Sequence, residues 1–164
     1  MTSKKVVASP ESIACSDVYP GVLDSAAAKG YFATPSNVEV CQRAQKGAII
    51  IAVKPNVVTQ VFADILRVPE SKEALVISVA AGVTLETLEH GLPGRRVVRV
   101  MPNTACTVAQ SASGYALGAL CTDQDRDTVQ AIFGSVGVAY ELPEFLLNAV
   151  TGLSGSGPAY VFAI

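Results

Sequence analysis

The chain has 164 residues, a length that fits a single domain. Hydrophobic residues make up 50% and charged residues 16%, against about 25% charged in an ordinary soluble domain, which excludes a disordered chain. A net charge of −2, with no Lys/Arg block longer than a pair, excludes the basic footprint that nucleic acid binding needs.

Residues 6–8 are a short apolar run ending at Ser9 and Pro10, where proline forbids ladder pairing and the chain must turn. The Ala-rich stretch 11–29 predicts helix, interrupted at Pro20 and Gly21. Residues 31–33 predict a short strand. Ser36 or Asn37 then suits an N-cap for a helix through Ala44, because a short polar side chain there satisfies orphan N–H groups.

Residues 48–53 (Ala-Ile-Ile-Ile-Ala-Val) predict the strongest strand, apolar at every position as strands buried on both faces are. A helix follows over 55–66, with Val57, Val58, Val61, Phe62 and Ile65 at helical spacing and Pro55 suited to its first turn. Residues 75–80 predict a second apolar strand, 85–89 a short helix and 97–101 a third strand. Beyond them, 114–120 predict a weaker strand, 122–133 a helix opened by Thr122 and Asp123, and 136–142 a last strand. A helix over 144–150 leads into a Gly-rich stretch, 151–158. This alternation predicts an open, mostly parallel α/β sheet with helices on both faces.

The apolar runs are far shorter than the ~20 residues that cross a bilayer, so no membrane span is expected. Cys15, Cys41, Cys106 and Cys121 lack C-x-x-C spacing and His90 is the single histidine, so no metal site is expected. A reduced, cytoplasmic chain is the default, since no apolar segment of a secretory signal follows Met-Thr-Ser-Lys-Lys. Residues 158–164 predict a helix that is apolar all round and lacks a C-cap, the pattern of a helix buried against something further. An incomplete domain is expected, the alternative being a terminal helix packed on its own sheet.

The Gly-Ser-Gly at 155–157 does not complete G-x-G-x-x-G, because position 160 is Tyr160 and the run follows a helix. A nucleophile elbow fails as well, since Ser156 stands where G-x-S-x-G needs glycine. No Walker A motif is present. The remaining signal lies in three loops after buried strands: Ala52-Val53-Lys54-Pro55, Ser78-Val79-Ala80-Ala81-Gly82 and Met101-Pro102-Asn103-Thr104. Ligands of open α/β sheets bind outside the strands' carboxyl ends, and small side chains let them approach the backbone. Lys54 is either a cation for such a ligand or an ordinary snorkelling lysine. Asn103 either binds a polar group or holds a turn with its own backbone.

These loops, with Arg99-Val100-Met101-Pro102-Asn103-Thr104 and Ala149-Val150-Thr151-Gly152-Leu153-Ser154-Gly155-Ser156-Gly157-Pro158-Ala159-Tyr160, resemble pyrroline-5-carboxylate reductase. The resemblance runs from about Val6 to the last residue. It implies an incomplete Rossmann-like, doubly wound sheet that reduces 1-pyrroline-5-carboxylate to proline with NADPH or NADH. Residues 1–152 would be a partial dinucleotide-binding domain lacking the first strand and Gly-rich turn. Residues 153–164 would begin a C-terminal helical domain, and the complete family member would be a homo-oligomer.

By the same resemblance, Ser9 would follow the second strand of the family's sheet and lie at the adenosine ribose or its 2′-phosphate. Asn37 would sit at the adenine side. Ala52, Val53, Lys54 and Pro55 would line the dinucleotide cleft, Val79, Ala80 and Ala81 would pass the nicotinamide end, and Asn103 would lie close to its ring. Glu144 would border the substrate. No catalytic residue is assigned within the chain. A hydroxyl at position 9 suits a phosphate, where a strand-end acid would suit a free ribose diol. The chain departs from the family pattern at Ala105, at Gln110 and Ser111, and at Pro20 and Gly21. Two functions follow: a reductase, or a silent dinucleotide-domain remnant that binds nucleotide weakly or pairs with a full-length subunit.

Overall fold

A computed structural model describes residues 6, 7 and 9–162, with side-chain exposure through Val161. Val6 and Val7 lie in bends, and Ala8 of the first apolar run is outside the described residues. The stretch 11–29, expected as helix interrupted at Pro20 and Gly21, instead follows a 3-10 turn (Pro10–Ser12) with a strand β1 (Ala14–Ser16) before a helix α1 (Pro20–Ala27). Local alanine content favours helix, but β1 gains ladder partners from β2 (Phe32–Thr34), and tertiary pairing overrides propensity. Pro20 opens α1 from the first turn, where its missing N–H costs nothing.

The helix α2 (Asn37–Ala44) begins at Ser36, whose side chain accepts from the Glu39 N–H. Next come β3 (Ala48–Ile51), a 3-10 turn (Pro55–Val57), α3 (Val58–Leu66), β4 (Leu75–Ser78), α4 (Leu85–Gly91) and β5 (Val97–Met101). They are followed by β6 (Ser111–Leu117), α5 (Asp123–Gly134), β7 (Gly137–Glu141), α6 (Leu147–Val150) and α7 (Gly157–Phe162). Residues Thr151–Gly155 form one π-helical turn between α6 and α7.

The five strands β3 to β7 form one sheet in sequence order. All its ladders are parallel except β5–β6, which is antiparallel. The pair β1–β2 is a separate two-stranded parallel sheet. Alternation explains the apolar strands. Leu75 and Ile77 of β4 and Val98 and Val100 of β5 pack with Tyr115, Val129 and Phe133 beneath α5. Val76 and Val97 face the other way, onto Val58, Val61, Phe62, Ile65 and Leu88 of α3 and α4. Each such buried side chain contributes about 1.5–3 kcal/mol.

β3 departs from the expectation of burial on both faces. It is an edge strand of the five-stranded sheet, and Ile50 is 48% exposed while Ile49 and Ile51 enter the core.

Candidate functional site

The carboxyl ends of β3, β4 and β5 lie on the same edge of the sheet, because the three strands are parallel. After β3, the Lys54 carbonyl accepts from the Val57 N–H at 2.9 Å, which starts the Pro55–Val57 turn. The Lys54 side chain is exposed and forms no ion pair with the described residues. After β4, the Val79 N–H donates to the Ile51 carbonyl at 3.0 Å, so the β3 and β4 exits are stitched together. Ala80 is buried and Ala81 exposed. Gly82 takes φ +77°, a left-handed conformation that lets the chain turn before Thr84 caps α4.

The β5 exit is closed by the far end of the chain. The Asn103 Nδ2 donates to the Ser154 Oγ at 3.1 Å and to the Ser154 carbonyl at 3.3 Å. The Ser154 hydroxyl in turn donates to the Ala112 carbonyl at 2.8 Å. Gly155 packs beside the tip of Met101, whose Cε would lie 2.9 Å from a Cβ at that position. These bonds commit the Asn103 amide nitrogen and leave Oδ1 as a buried acceptor with no partner. Such an orphan is rare in a folded chain.

Ser9 does not occupy the position expected of it. It precedes the Pro10–Ser12 turn and therefore β1, whereas the residue ending β1 is Ser16. The expectation located a strand from the 6–8 run, and the ladder lies eight residues further on. The Ser16 Oγ donates to the Asn37 Oδ1 at 2.7 Å, and the Asn37 Nδ2 donates to Asp64 Oδ2 at 2.9 Å. Asn37 thus joins the β1 exit to α3. Ser16, Asp17 and Asp64 escaped the sequence reading, and Ser154 entered it only as part of the Gly-rich motif. The readable signal for the first two was the short apolar run of residues 13–15 ended by Ser-Asp.

Glu144 sits elsewhere, on the α4 side. Its Oε1 accepts from the Leu85 N–H at 2.7 Å and from the Arg99 Nη1 at 3.0 Å. Arg99 Nη2 reaches the Asn148 Oδ1 at 3.1 Å. The Arg99 side chain is buried on β5, so these partners neutralise a charge inside the fold. Burial pushes the Cys41 and Cys121 thiols up, which keeps them protonated and unreactive. Among the described residues no group of three or more His, Cys, Asp or Glu side chains could hold a metal ion. No helix among them is long and apolar enough to cross a membrane.

Comparison with known proteins bears on this edge of the sheet. A family model described as NADP oxidoreductase, coenzyme F420-dependent, matches residues 4–82. A pyrroline-5-carboxylate reductase of Methanosarcina acetivorans is 44% identical over 165 residues, covering 99% of this chain and 60% of the relative. This chain is similar to the pyrroline-5-carboxylate reductases over nearly all of its own length. The Glycine max reductase is 38% identical over 81% of this chain and 47% of its own length. Among solved structures, the pyrroline-5-carboxylate reductase of Coxiella burnetii superposes with a TM-score of 0.86 at 29% identity, over 94% of this chain and 57% of that one. The Plasmodium falciparum reductase, solved with NADP bound, gives a TM-score of 0.75 at 31% identity over 81% and 50%. The fold is Rossmann-like. The chain thus spans 47% to 60% of the length of these four reductases.

Proposed function

We propose that the chain supplies the nicotinamide-dinucleotide cleft of a pyrroline-5-carboxylate reductase, an oxidoreductase of proline biosynthesis. The observation that carries this reading is the orphaned Asn103 Oδ1 beside three parallel strand exits built of small residues. When bound, NADH or NADPH supplies a hydride, which passes to the imine carbon of 1-pyrroline-5-carboxylate. Ala52, Val53 and Pro55 form one wall of the cleft, with Lys54 as a cation for the anionic dinucleotide. Val79, Ala80 and Ala81 form the adjacent wall. Asn103, held by Ser154, offers Oδ1 to an N–H of the nicotinamide end. Asn37 orients the Ser16 hydroxyl at the adenosine end.

Residues 1–152 form part of the dinucleotide-binding domain in this reading, and 153–164 open a helical domain. The division of the strands supports it, since β1–β2 form a parallel sheet of their own and β3 is left as the edge of the larger sheet. Glu144 acts here through Arg99 and Leu85 at the border of the imine site. The complete enzyme is a cytoplasmic homo-oligomer.

Fluorescence titration of the 164-residue chain with NADH and NADPH, followed by an imine-dependent oxidation assay, tests the reading. Dinucleotide binding is expected. Turnover by this chain alone is not, because Glu144 is the one described residue this reading sets beside the imine, and positioning contributes up to ~7–11 kcal/mol to such a step. Failure to bind either dinucleotide would overturn the cleft.

A further inference from the structure

The β1 exit holds a hydroxyl whose proton is already committed. Asp64 is a carboxylate and only accepts, so the contact at 2.9 Å fixes the Asn37 amide with its nitrogen toward Asp64 and its oxygen toward Ser16. Asn37 Oδ1 also only accepts, so the Ser16 Oγ must be the donor across 2.7 Å. Ser16 therefore presents lone pairs, and no proton, to anything arriving at the strand end.

The surrounding charges have the same sense. Asp17 follows Ser16 directly and is half-buried; its Oδ1 accepts from the Tyr19 N–H at 2.9 Å, and its Oδ2 has no partner among the described residues. Thr34, the ladder partner of Ser16, donates to Glu39 Oε2 at 2.8 Å. Arg67 is committed to Asp64 at 3.3 Å and points largely into solvent. Arg43 stacks on the Phe32 ring at 3.6 Å. Phe32 pairs with Ala14, two positions back from Ser16 toward the amino end of the ladder. These contacts line the β1 exit with acceptors and carboxylates, and Asp64 already holds the nearby Arg67.

We propose that this exit selects the dinucleotide with an unphosphorylated ribose, NADH over NADPH. Asp17 is the specificity-determining residue, and Asn37 and Asp64 are positioning residues acting through Ser16. The proposal rests on the cleft reading above. A ribose 2′-hydroxyl brings the donor that Ser16 and Asp17 lack. A 2′-phosphate brings only acceptors and close to two negative charges, which these groups repel. NADP, held by the Plasmodium falciparum relative, carries that phosphate.

The test compares dissociation constants of NADH and NADPH for the chain, the Asp17→Asn and Asp64→Asn variants, and Glu86→Gln as a remote control. The unmodified chain is expected to bind NADH about tenfold tighter at low salt, a ratio that narrows as salt screens the carboxylates. Asp17→Asn should narrow the ratio chiefly by tightening NADPH. Asp64→Asn lets the Asn37 amide turn, frees the Ser16 proton and should narrow it too, while Glu86→Gln leaves it unchanged. A merely structural role for Asp64 would weaken both dinucleotides equally and leave the ratio intact. NADPH binding as tight as NADH, or a ratio unmoved by both variants, would overturn the proposal and leave the cleft standing. Absence of binding by either dinucleotide would overturn both.

Discussion

Asn103 and Ser154, 51 positions apart, are joined by two hydrogen bonds from one amide nitrogen. The contact fastens the β5 exit to the π-helical turn ahead of α7, and with Gly155 against Met101 it closes one end of the proposed cleft.

Removing that amide tests the closure. Asn103→Ala should lower stability by about 1–2 kcal/mol, the sum of two modest hydrogen bonds. It should weaken dinucleotide binding as well. Thr107→Ala, which loses an exposed bond to the Thr104 carbonyl, should leave binding unchanged. Urea unfolding with a parallel fluorescence titration measures both, and equal behaviour of the two variants would count against a role for Asn103 in the cleft.

Lys54 and His90 separate the two ends of the sheet's connections. Lys54→Ala should weaken dinucleotide binding by about threefold, the worth of one exposed charge contact. His90 is exposed in the last turn of α4, so His90→Ala should have no effect. A larger loss for the histidine variant would put the cleft elsewhere.

The pair Arg99–Glu144 predicts a large stability effect. Glu144→Ala leaves the guanidinium of Arg99, 5% exposed, without its counter-ion and the Leu85 N–H without its acceptor. The expected loss is about 3 kcal/mol, at the low end for a buried pair because Glu144 itself is 31% exposed. Glu144→Gln keeps an acceptor for both groups and should cost less. Chemical denaturation distinguishes them; a loss below about 1 kcal/mol for the alanine variant would show that water replaces the carboxylate.

Acid sensitivity should be centred on Asp125. Burial alone would push its carboxyl up, but the Thr122 N–H and hydroxyl and the Arg96 guanidinium at 2.5 Å together hold it below its ordinary value. A depressed folded value means stability that is fully present above about pH 4, where the unfolded carboxyl is ionised. That stability is lost as pH falls through the folded value. Asp125→Asn should lower stability at neutral pH and flatten the acid limb of the stability curve. An unchanged limb would assign the acid sensitivity to other carboxylates.

Much of the architecture was legible locally. β5 spans the predicted residues 97–101, and Ser36 and Thr122 cap α2 and α5 as their short polar side chains suggest. The burial of β4 on both faces follows from the apolar run of residues 75–77, whereas β5 buries the charged Arg99 in its middle. β6 was read three residues late because its opening Ser-Ala-Ser is polar, yet Ser111 and Ser113 are buried and hydrogen bonded to each other at 3.0 Å. The site divides the same way. The three loops announce themselves by small residues after apolar strands, whereas Ser9 and Ser16 each close a three-residue apolar run, so the local pattern offers both.

The sequence by itself determined an alternating α/β chain, its strand-exit loops and its resemblance to the reductases, because these depend on composition and order along the chain. Tertiary structure alone decided which serine ends a strand, that β3 is an edge, and that Asn103 meets Ser154. Those outcomes depend on pairing between distant segments. A three-residue strand such as β1 has too little local preference to form without the ladder and helices that hold it.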